Sequence, residues 1–277
     1  MVKVGFIGLG RIGKPIAVNI IDAGYDLAVL DLREETVKEL ARLGAKVTRS
    51  PREVAEHGEL VELAVVDDVQ VEQVLLGDRG VFEGARPGTI VAIHSTVLPE
   101  TVRKVAEVGE RRGIHIIDAP VSGGEAGARE KALCYMVGGD ESLLERCRAV
   151  FATSASLIVH LGALGSGAAA KLIVQLVVCI NMLAAHEAEL LSDKSGLNLA
   201  AMQQVLRASS AQSFVTDHWL QRFKRPEEPL SIRRQRTDVF QKSLAPAIEL
   251  ARNYGLSLSG AELAARLLPQ IMGVERT

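Results

Sequence analysis

Along the first 160 or so positions, apolar residues come in short runs separated by amphipathic stretches. Val4, Phe6 and Ile7 form the first run. Others cover 27–30, 45–47, 60–66, 89–93, 114–118, 132–137 and 157–160. Runs of this length, bounded by Gly, Pro or Asp, predict buried strands. The intervening stretches have helical spacing. Ile16, Ala17, Ile20 and Ile21 mark one helix, ended by Gly24, and 34–43, 69–75, 99–112 and 141–150 mark others. Ser50-Pro51 with Glu53 three residues on opens one more, as a cap with proline in the first turn. The alternation predicts an α/β class, a doubly wound parallel sheet.

The pattern changes at Gly162. Residues 168–192 are apolar on nearly every face, which predicts a long buried helix. No clear strand follows, and 199–208, 214–223, 237–254 and 261–268 read as helices, with a surface loop at 226–229. The chain therefore divides into residues 1–162 and an all-helical part, 163–277.

The opening stretch has chemistry in its punctuation. The first apolar run enters Gly8, Gly10 and Gly13, with Arg11 and Ile12 inside the turn. A helix follows, and the second run stops at Asp31. Strand, glycine turn, helix, strand and acid are the order of a dinucleotide-binding Rossmann unit. Gly8 permits the tight turn, Gly10 lets the backbone approach a pyrophosphate, and Gly13 lets helix and strand pack closely. The helix N-terminus offers N–H groups and a positive dipole end. Asp31 can accept from ribose hydroxyls, and its charge opposes a 2′-phosphate. Arg33 softens that preference. The expected cofactor is NAD, with NADP as the alternative.

Composition removes other classes. The 277 residues are 48% hydrophobic with a net charge of −2, so neither nucleic acid nor an anionic membrane is an expected partner. Arg233, Arg234 and Arg236 form the densest basic cluster and read as a solvated face. Cys134, Cys147 and Cys179 lack CxxC spacing and fit reduced thiols rather than a disulfide or zinc framework. His186-Glu187 opens like HExxH, but Leu190 ends that reading, and no metal is expected. A strand starting at residue 2 leaves no room for a signal peptide, and the 172–185 stretch is too short for a membrane span. A cytoplasmic location is expected.

Within the long helix, Lys171 stands among Ala168, Ala169, Ala170, Leu172 and Ile173. It either snorkels to the surface or projects into a cleft, where desolvation would lower its pKa toward that of a proton donor or acceptor. Gln175, one turn on, shares its face. Ser122, Gly123 and Gly124 offer a hydroxyl and two approachable N–H groups, which suit a carboxylate or form an ordinary glycine loop. Asp67 and Asp68 follow a strand, where such sheets present ligand loops.

Together these segments resemble the β-hydroxyacid dehydrogenase family, which includes 3-hydroxyisobutyrate dehydrogenases and tartronate semialdehyde reductases. The resemblance rests on FIGLGRIGKPIA at 6–17, Ser95-Thr96 with Pro99-Glu100-Thr101, DAPVSGG at 118–124, MVGGD at 136–140, GSGAAAKL at 165–172, and Gln241-Lys242 with Ala247-Ile248-Glu249-Leu250-Ala251. It implies hydride transfer between NAD(P) and a small β-hydroxy acid or its semialdehyde, with Lys171 as general acid/base. Ser122, Gly123 and Gly124 would hold the substrate carboxylate, with Gln175 beside the lysine. Thr96 would contact the nicotinamide half of the cofactor, Val65 and Val66 the adenosine side, and Lys242 would close from the helical part.

The chain departs from the family at Gln175 and Val174, where Asn is usual, at Ser243, where an acid is usual, and at Val65-Val66, where Leu-Pro is usual. These changes bear on substrate choice more than on the reaction. An imine reductase shares the architecture but usually replaces the lysine. A non-catalytic nucleotide-binding regulator is the other alternative. A helix as apolar as 172–185 needs cover, so a homodimer or homotetramer is expected.

Overall fold

The computed structural model describes residues 2–274. The chain divides into two compact units, Met1–Lys171 and Leu172–Thr277.

The first unit is built on six strands: β1 (Val4–Ile7), β2 (Leu27–Leu30), β3 (Lys46–Val47), β4 (Leu60–Leu63), β5 (Ile90–Ile93) and β6 (His115–Asp118). All pair in parallel, in the order β3-β2-β1-β4-β5-β6. Successive side chains of a strand face opposite sides. Val4 and Phe6 of β1 enter one apolar cluster with Ile16, Ile20 and Val29. Ile7 enters the other, with Val61, Leu63, Val91 and Ile93. Burial on both faces is why these strands read as continuous apolar runs. The strand order reverses between β1 and β4, so the crevice beyond their carboxyl ends is where such a sheet binds ligands.

Three further strands, β7 (Val121–Ser122), β8 (Leu133–Val137) and β9 (Ala155–His160), form a second sheet. Here the structure differs from the sequence expectation of one parallel sheet. The 118–124 stretch, read as loop, contains β7, which pairs antiparallel with β8, and a short helix, Gly124–Arg129, follows it. The 60–66 run also stops early. Asp67 turns to cap the next helix by accepting from the Gln70 N–H, and the Val65 N–H donates to Ser95 Oγ at 2.9 Å.

The long helix is Ser166–Lys194, 29 residues. It buries Ala168, Leu172, Cys179, Met182, Leu183 and Ala185, while Ile173, Val177, Ala184 and Leu191 are exposed. Length and composition would let it cross a membrane, which corrects the expectation that the apolar stretch is too short. Alanines before residue 172 and residues through Lys194 extend the helix at both ends. Core helices pass the same test of length and hydropathy. Its first turn belongs to the α/β unit, where Ala168 joins the cluster of Ile93 and Val97.

The second unit continues with helices Leu199–Arg207, Leu230–Asn253 and Ser259–Ile271. The expected helix over 214–223 is broken into a single turn, Phe214–Asp217, and a wide π-type turn, Trp219–Phe223. Ser213 caps the first turn reciprocally with Thr216, and Trp219 Nε1 donates to Glu189 at 3.0 Å, which anchors the second. The basic cluster is not simply a solvated face. Arg236 pairs with Glu228 at 2.6 Å, and Arg233 donates to the Glu228 and Gly273 carbonyls. These bonds start the helix at Leu230 rather than at 237.

Candidate active site

The carboxyl ends of β1, β2, β4 and β5 carry the residues assigned to a dinucleotide. Gly8 has φ +93°, and a Cβ on Gly13 would lie 1.9 Å from the Gly8 carbonyl oxygen. The turn therefore closes only with glycine at both positions. A Cβ on Gly10 would meet nothing within 4 Å. The helix that starts at Gly13 has no side-chain cap. An open approach at Gly10 beside an uncapped helix N-terminus fits a pyrophosphate. Arg11 reaches outward to Glu125 at 3.3 Å, and Ile12 is the residue that precedes the helix.

Asp31 is held from both sides. The Leu9 N–H donates to Oδ2 at 2.6 Å, and Arg33 grips the carboxylate through Nε at 2.9 Å and Nη2 at 3.0 Å. Partial burial works against its charge, but the Arg33 bonds and the Leu9 N–H outweigh it and hold the pKa below the usual carboxylate range. Asp31 thus keeps the negative charge that opposes a 2′-phosphate, while Arg33 stands beside it as a cation suited to one. Val66 is exposed, its N–H bonded to the Gln70 side chain, and Thr96 is half-buried. Asp67 and Asp68 serve the fold rather than a ligand: Asp68 accepts from the Leu98 N–H and the Thr101 hydroxyl.

The GSGAAAKL segment is explained by an acid that sequence reasoning left without a role. Asp118, at the end of β6, is buried. Its Oδ1 accepts from the Gly165 N–H at 2.8 Å and its Oδ2 from the Ala168 N–H at 2.7 Å. Burial raises its pKa, against the opposing effect of these N–H donors. Asp118 therefore holds the start of the long helix, one turn before Lys171. A Cβ on Gly167 would lie 2.2 Å from the Met136 carbonyl oxygen, so the helix backbone packs directly on β8. The only hint in the sequence was an acid closing an otherwise apolar strand.

Lys171 is set by that helix start. Desolvation pushes its pKa down to about 8, partly offset by Cys134. Burial in turn raises the Cys134 thiol, and Lys171 acts against that rise. Cys134 is paired with Ser122 across β7 and β8, and directly opposed residues share a face. The structure thus gathers Ser122, Cys134 and Lys171, and Cys134 is a member that the sequence did not flag. Gly123 and Gly124 follow, both exposed and with positive φ, +133° and +66°.

The remaining candidates lie in the helical unit. Gln175 is one turn further along the long helix. Lys242 is exposed on Leu230–Asn253, and the hydroxyl of its neighbour Ser243 donates to the Val239 carbonyl at 2.7 Å. Phe214 is exposed, and His218 bonds the Phe214 carbonyl at 2.9 Å.

Comparison with known proteins decides the family. Residues 3–162 match the family model described as the NAD binding domain of 6-phosphogluconate dehydrogenase. Residues 165–275 match the one described as NAD-binding of NADP-dependent 3-hydroxyisobutyrate dehydrogenase. The chain belongs to the β-hydroxyacid dehydrogenase family. The 2-hydroxy-3-oxopropionate reductase of Escherichia coli is 36% identical over 92% of this chain and 86% of its own. The NAD-dependent L-serine dehydrogenase of Pseudomonas aeruginosa is 36% identical over 78% and 73%. A Mycobacterium tuberculosis 3-hydroxyisobutyrate dehydrogenase solved with L-serine superposes with a TM-score of 0.85 at 28% identity, covering 99% of this chain and 94% of that one. As a β-hydroxyacid dehydrogenase, the chain is an NAD(P)-dependent oxidoreductase of hydroxy acids.

Proposed function

We propose that the chain oxidises a small β-hydroxy acid, or reduces the matching semialdehyde, with Lys171 as general acid/base. One observation carries this reading: an amine brought to a pKa of about 8 by desolvation, on a helix whose start is fixed by Asp118. A group that titrates near the working pH is suited to both directions of proton transfer. In oxidation, uncharged Lys171 takes the hydroxyl proton. In reduction, its ammonium returns a proton to the carbonyl oxygen. Bound NAD(P) supplies the hydride acceptor or donor.

Ser122 Oγ and the N–H groups of Gly123 and Gly124 hold the substrate carboxylate, with Gln175 donating to a substrate oxygen. The 8–13 turn, Asp31, Val65, Val66 and Thr96 hold the dinucleotide, with Lys242 closing on its nicotinamide end. The relatives' named substrates support the class. L-serine, 2-hydroxy-3-oxopropionate and 3-hydroxyisobutyrate are all short acids that carry the oxygen on the β-carbon. NAD is the preferred cofactor in this reading because Asp31 stays ionised. We place the domain boundary at residue 162, the location in the cytoplasm, and the assembly as a homodimer or homotetramer. Ile173, Val177, Ala184 and Leu191, exposed along one helical face, support the last of these.

The test is steady-state turnover with NAD and a panel containing L-serine, 3-hydroxyisobutyrate and their homologues. We expect turnover of at least one, and a loss in kcat on the order of 10³ in Lys171→Ala with NAD affinity unchanged. An undiminished Lys171→Ala rate would remove the lysine from its role. NAD binding with no turnover across the panel would favour a non-catalytic nucleotide-binding protein.

A further inference from the structure

The apolar core of the α/β unit contains a polar pair that the proposed chemistry does not use. Glu62, in the middle of β4, is fully buried. His94 follows β5 directly, and its side chain is also wholly out of solvent. His94 Nε2 lies 3.3 Å from Glu62 Oε2, yet neither atom makes a hydrogen bond. The imidazole is enclosed by aromatic rings: Phe6 stacks on it at 6.2 Å, and Tyr135 and Phe151 meet it at 5.5 and 5.6 Å, close to edge-on. Tyr135 and Cys147, both pushed up mainly by burial, are pushed further by Glu62. Polar groups in such a slot cost several kcal/mol that an apolar pair of similar volume would not. Their presence calls for something that an apolar pair cannot supply.

The other ring nitrogen supplies it. His94 Nδ1 lies 2.7 Å from the Ala119 carbonyl oxygen. A carbonyl can only accept, so Nδ1 carries the proton of this bond. The Ala119 N–H already donates to Ile93 at 2.8 Å. Residue 119 is therefore clamped at both its amide and its carbonyl, and the next three residues are Pro120, Val121 and Ser122. On its other side, His94 adjoins Ser95, whose hydroxyl accepts from Val65 N–H. One imidazole thus joins the strand end that carries Thr96 to the segment that carries Ser122.

We propose that His94 is a positioning residue. It fixes the 119–122 segment through Nδ1–H, and the rings of Phe6, Tyr135 and Phe151 packed around the imidazole hold it in that orientation. The catalytic consequence rests on the assignment of Ser122 to the substrate carboxylate. The brace itself does not.

Three variants separate this from simple core packing. In His94→Asn, the side-chain amide nitrogen falls near the place of Nδ1 and can still donate to Ala119. In His94→Gln, the amide reaches toward Glu62 and leaves the Ala119 carbonyl unpaired. His94→Leu does neither. Hydrogen exchange of the 121–124 amides should accelerate at least tenfold in the Gln and Leu variants and stay within about threefold of wild type in Asn. With the best hydroxy acid, KM should rise in Gln and Leu and be restored in Asn, with NAD affinity unchanged in all three. Equal exchange in Asn and Gln would overturn the brace. Should the variants not fold, ring ¹⁵N spectra of the wild type decide the matter: Nδ1 protonated supports the proposal, and a bare Nδ1 overturns it. A wild type that binds NAD but turns over no hydroxy acid would sink the proposed function alone, since exchange and ring spectra read the brace without turnover.

Discussion

In the α/β unit, the residues assigned to cofactor and proton transfer are placed by backbone contacts. The Gly8 carbonyl excludes any side chain at Gly13, Asp118 grips two N–H groups at the start of the long helix, and Gly167 lies on β8. In the helical unit, the residues assigned to closure and substrate oxygen are side chains on helix surfaces. Lys242 is exposed, and Ser243 spends its hydroxyl on its own helix. Backbone constraints tolerate one residue type, whereas a side chain on a helix face tolerates many. This contrast accounts for most of the departures from the family pattern. Gln175, Val174 and Ser243 fall in the helical unit, and the α/β unit departs at Val65-Val66, in the loop after β4, while the glycines, Asp118 and Lys171 keep the family's types.

The contrast breaks most sharply at Gly167. Gly167→Ala places a methyl 2.2 Å from the Met136 carbonyl, so the helix must shift off β8. We expect a loss of about 1–3 kcal/mol in stability. A displacement of about 1 Å at Lys171 should cost on the order of 10² in kcat. Urea denaturation and steady-state rates measure the two, and a wild-type kcat would show that the helix start does not set Lys171.

Lys171 itself should expose a conflict between stability and function. Its pKa is near 10.5 in the unfolded chain and about 8 in the folded one. Below pH 8 the fold must hold a desolvated charge, and that penalty is relieved as pH rises from 8 toward 10.5. Lys171→Met should therefore raise Tm at neutral pH by about 2–4 °C, with the gain vanishing above pH 10.5. The wild-type oxidation rate should climb through pH 8 as the base loses its proton, and the reduction rate should fall across the same range. A Tm gain independent of pH would contradict the desolvated charge.

How much of this was legible in the sequence follows the same division. The glycine turn, Asp31 and the Ser50 cap could be read because their partners lie close by in sequence, or because sterics dictate the residue type. Asp118 could not, because its partners Gly165 and Ala168 lie nearly fifty residues on, and nothing local marks a carboxylate as a helix brace. β7 was hidden because its two residues stand between Pro120 and Gly123-Gly124, a setting that reads as a loop. Cys134 joined the candidate site only through its register with Ser122. Arg233 and Arg236 looked like a solvated face because their partners, Glu228 and the Gly273 carbonyl, show only in three dimensions.

Cofactor choice sharpens the comparison within the α/β unit. Arg33→Ala frees both Asp31 oxygens from the guanidinium and leaves the backbone N–H groups of Leu9 and residue 33 as the remaining donors. A phosphate-binding cation is lost and an acceptor for ribose hydroxyls is released. The ratio of kcat/KM for NAD over NADP should rise by about threefold to tenfold. A ratio that falls would mean that Arg33 serves NAD by orienting Asp31, so that pre-positioning of the carboxylate outweighs its release.

The smallest effect is expected in the helical unit. Lys242 is exposed and half-way along Leu230–Asn253, so Lys242→Ala removes a mobile charge and little packing. Stability should stay within about 0.5 kcal/mol of wild type. A point charge that closes over a dinucleotide from solvent contributes through a screened interaction, so the KM for NAD should rise only about twofold to fivefold, and less at high salt. If Lys242→Ala instead cost as much as Gly167→Ala, the helical unit would be positioning its residues as rigidly as the α/β unit does. The substitutions at Gln175, Val174 and Ser243 would then have to be read as changes to a built site rather than as drift on a tolerant surface.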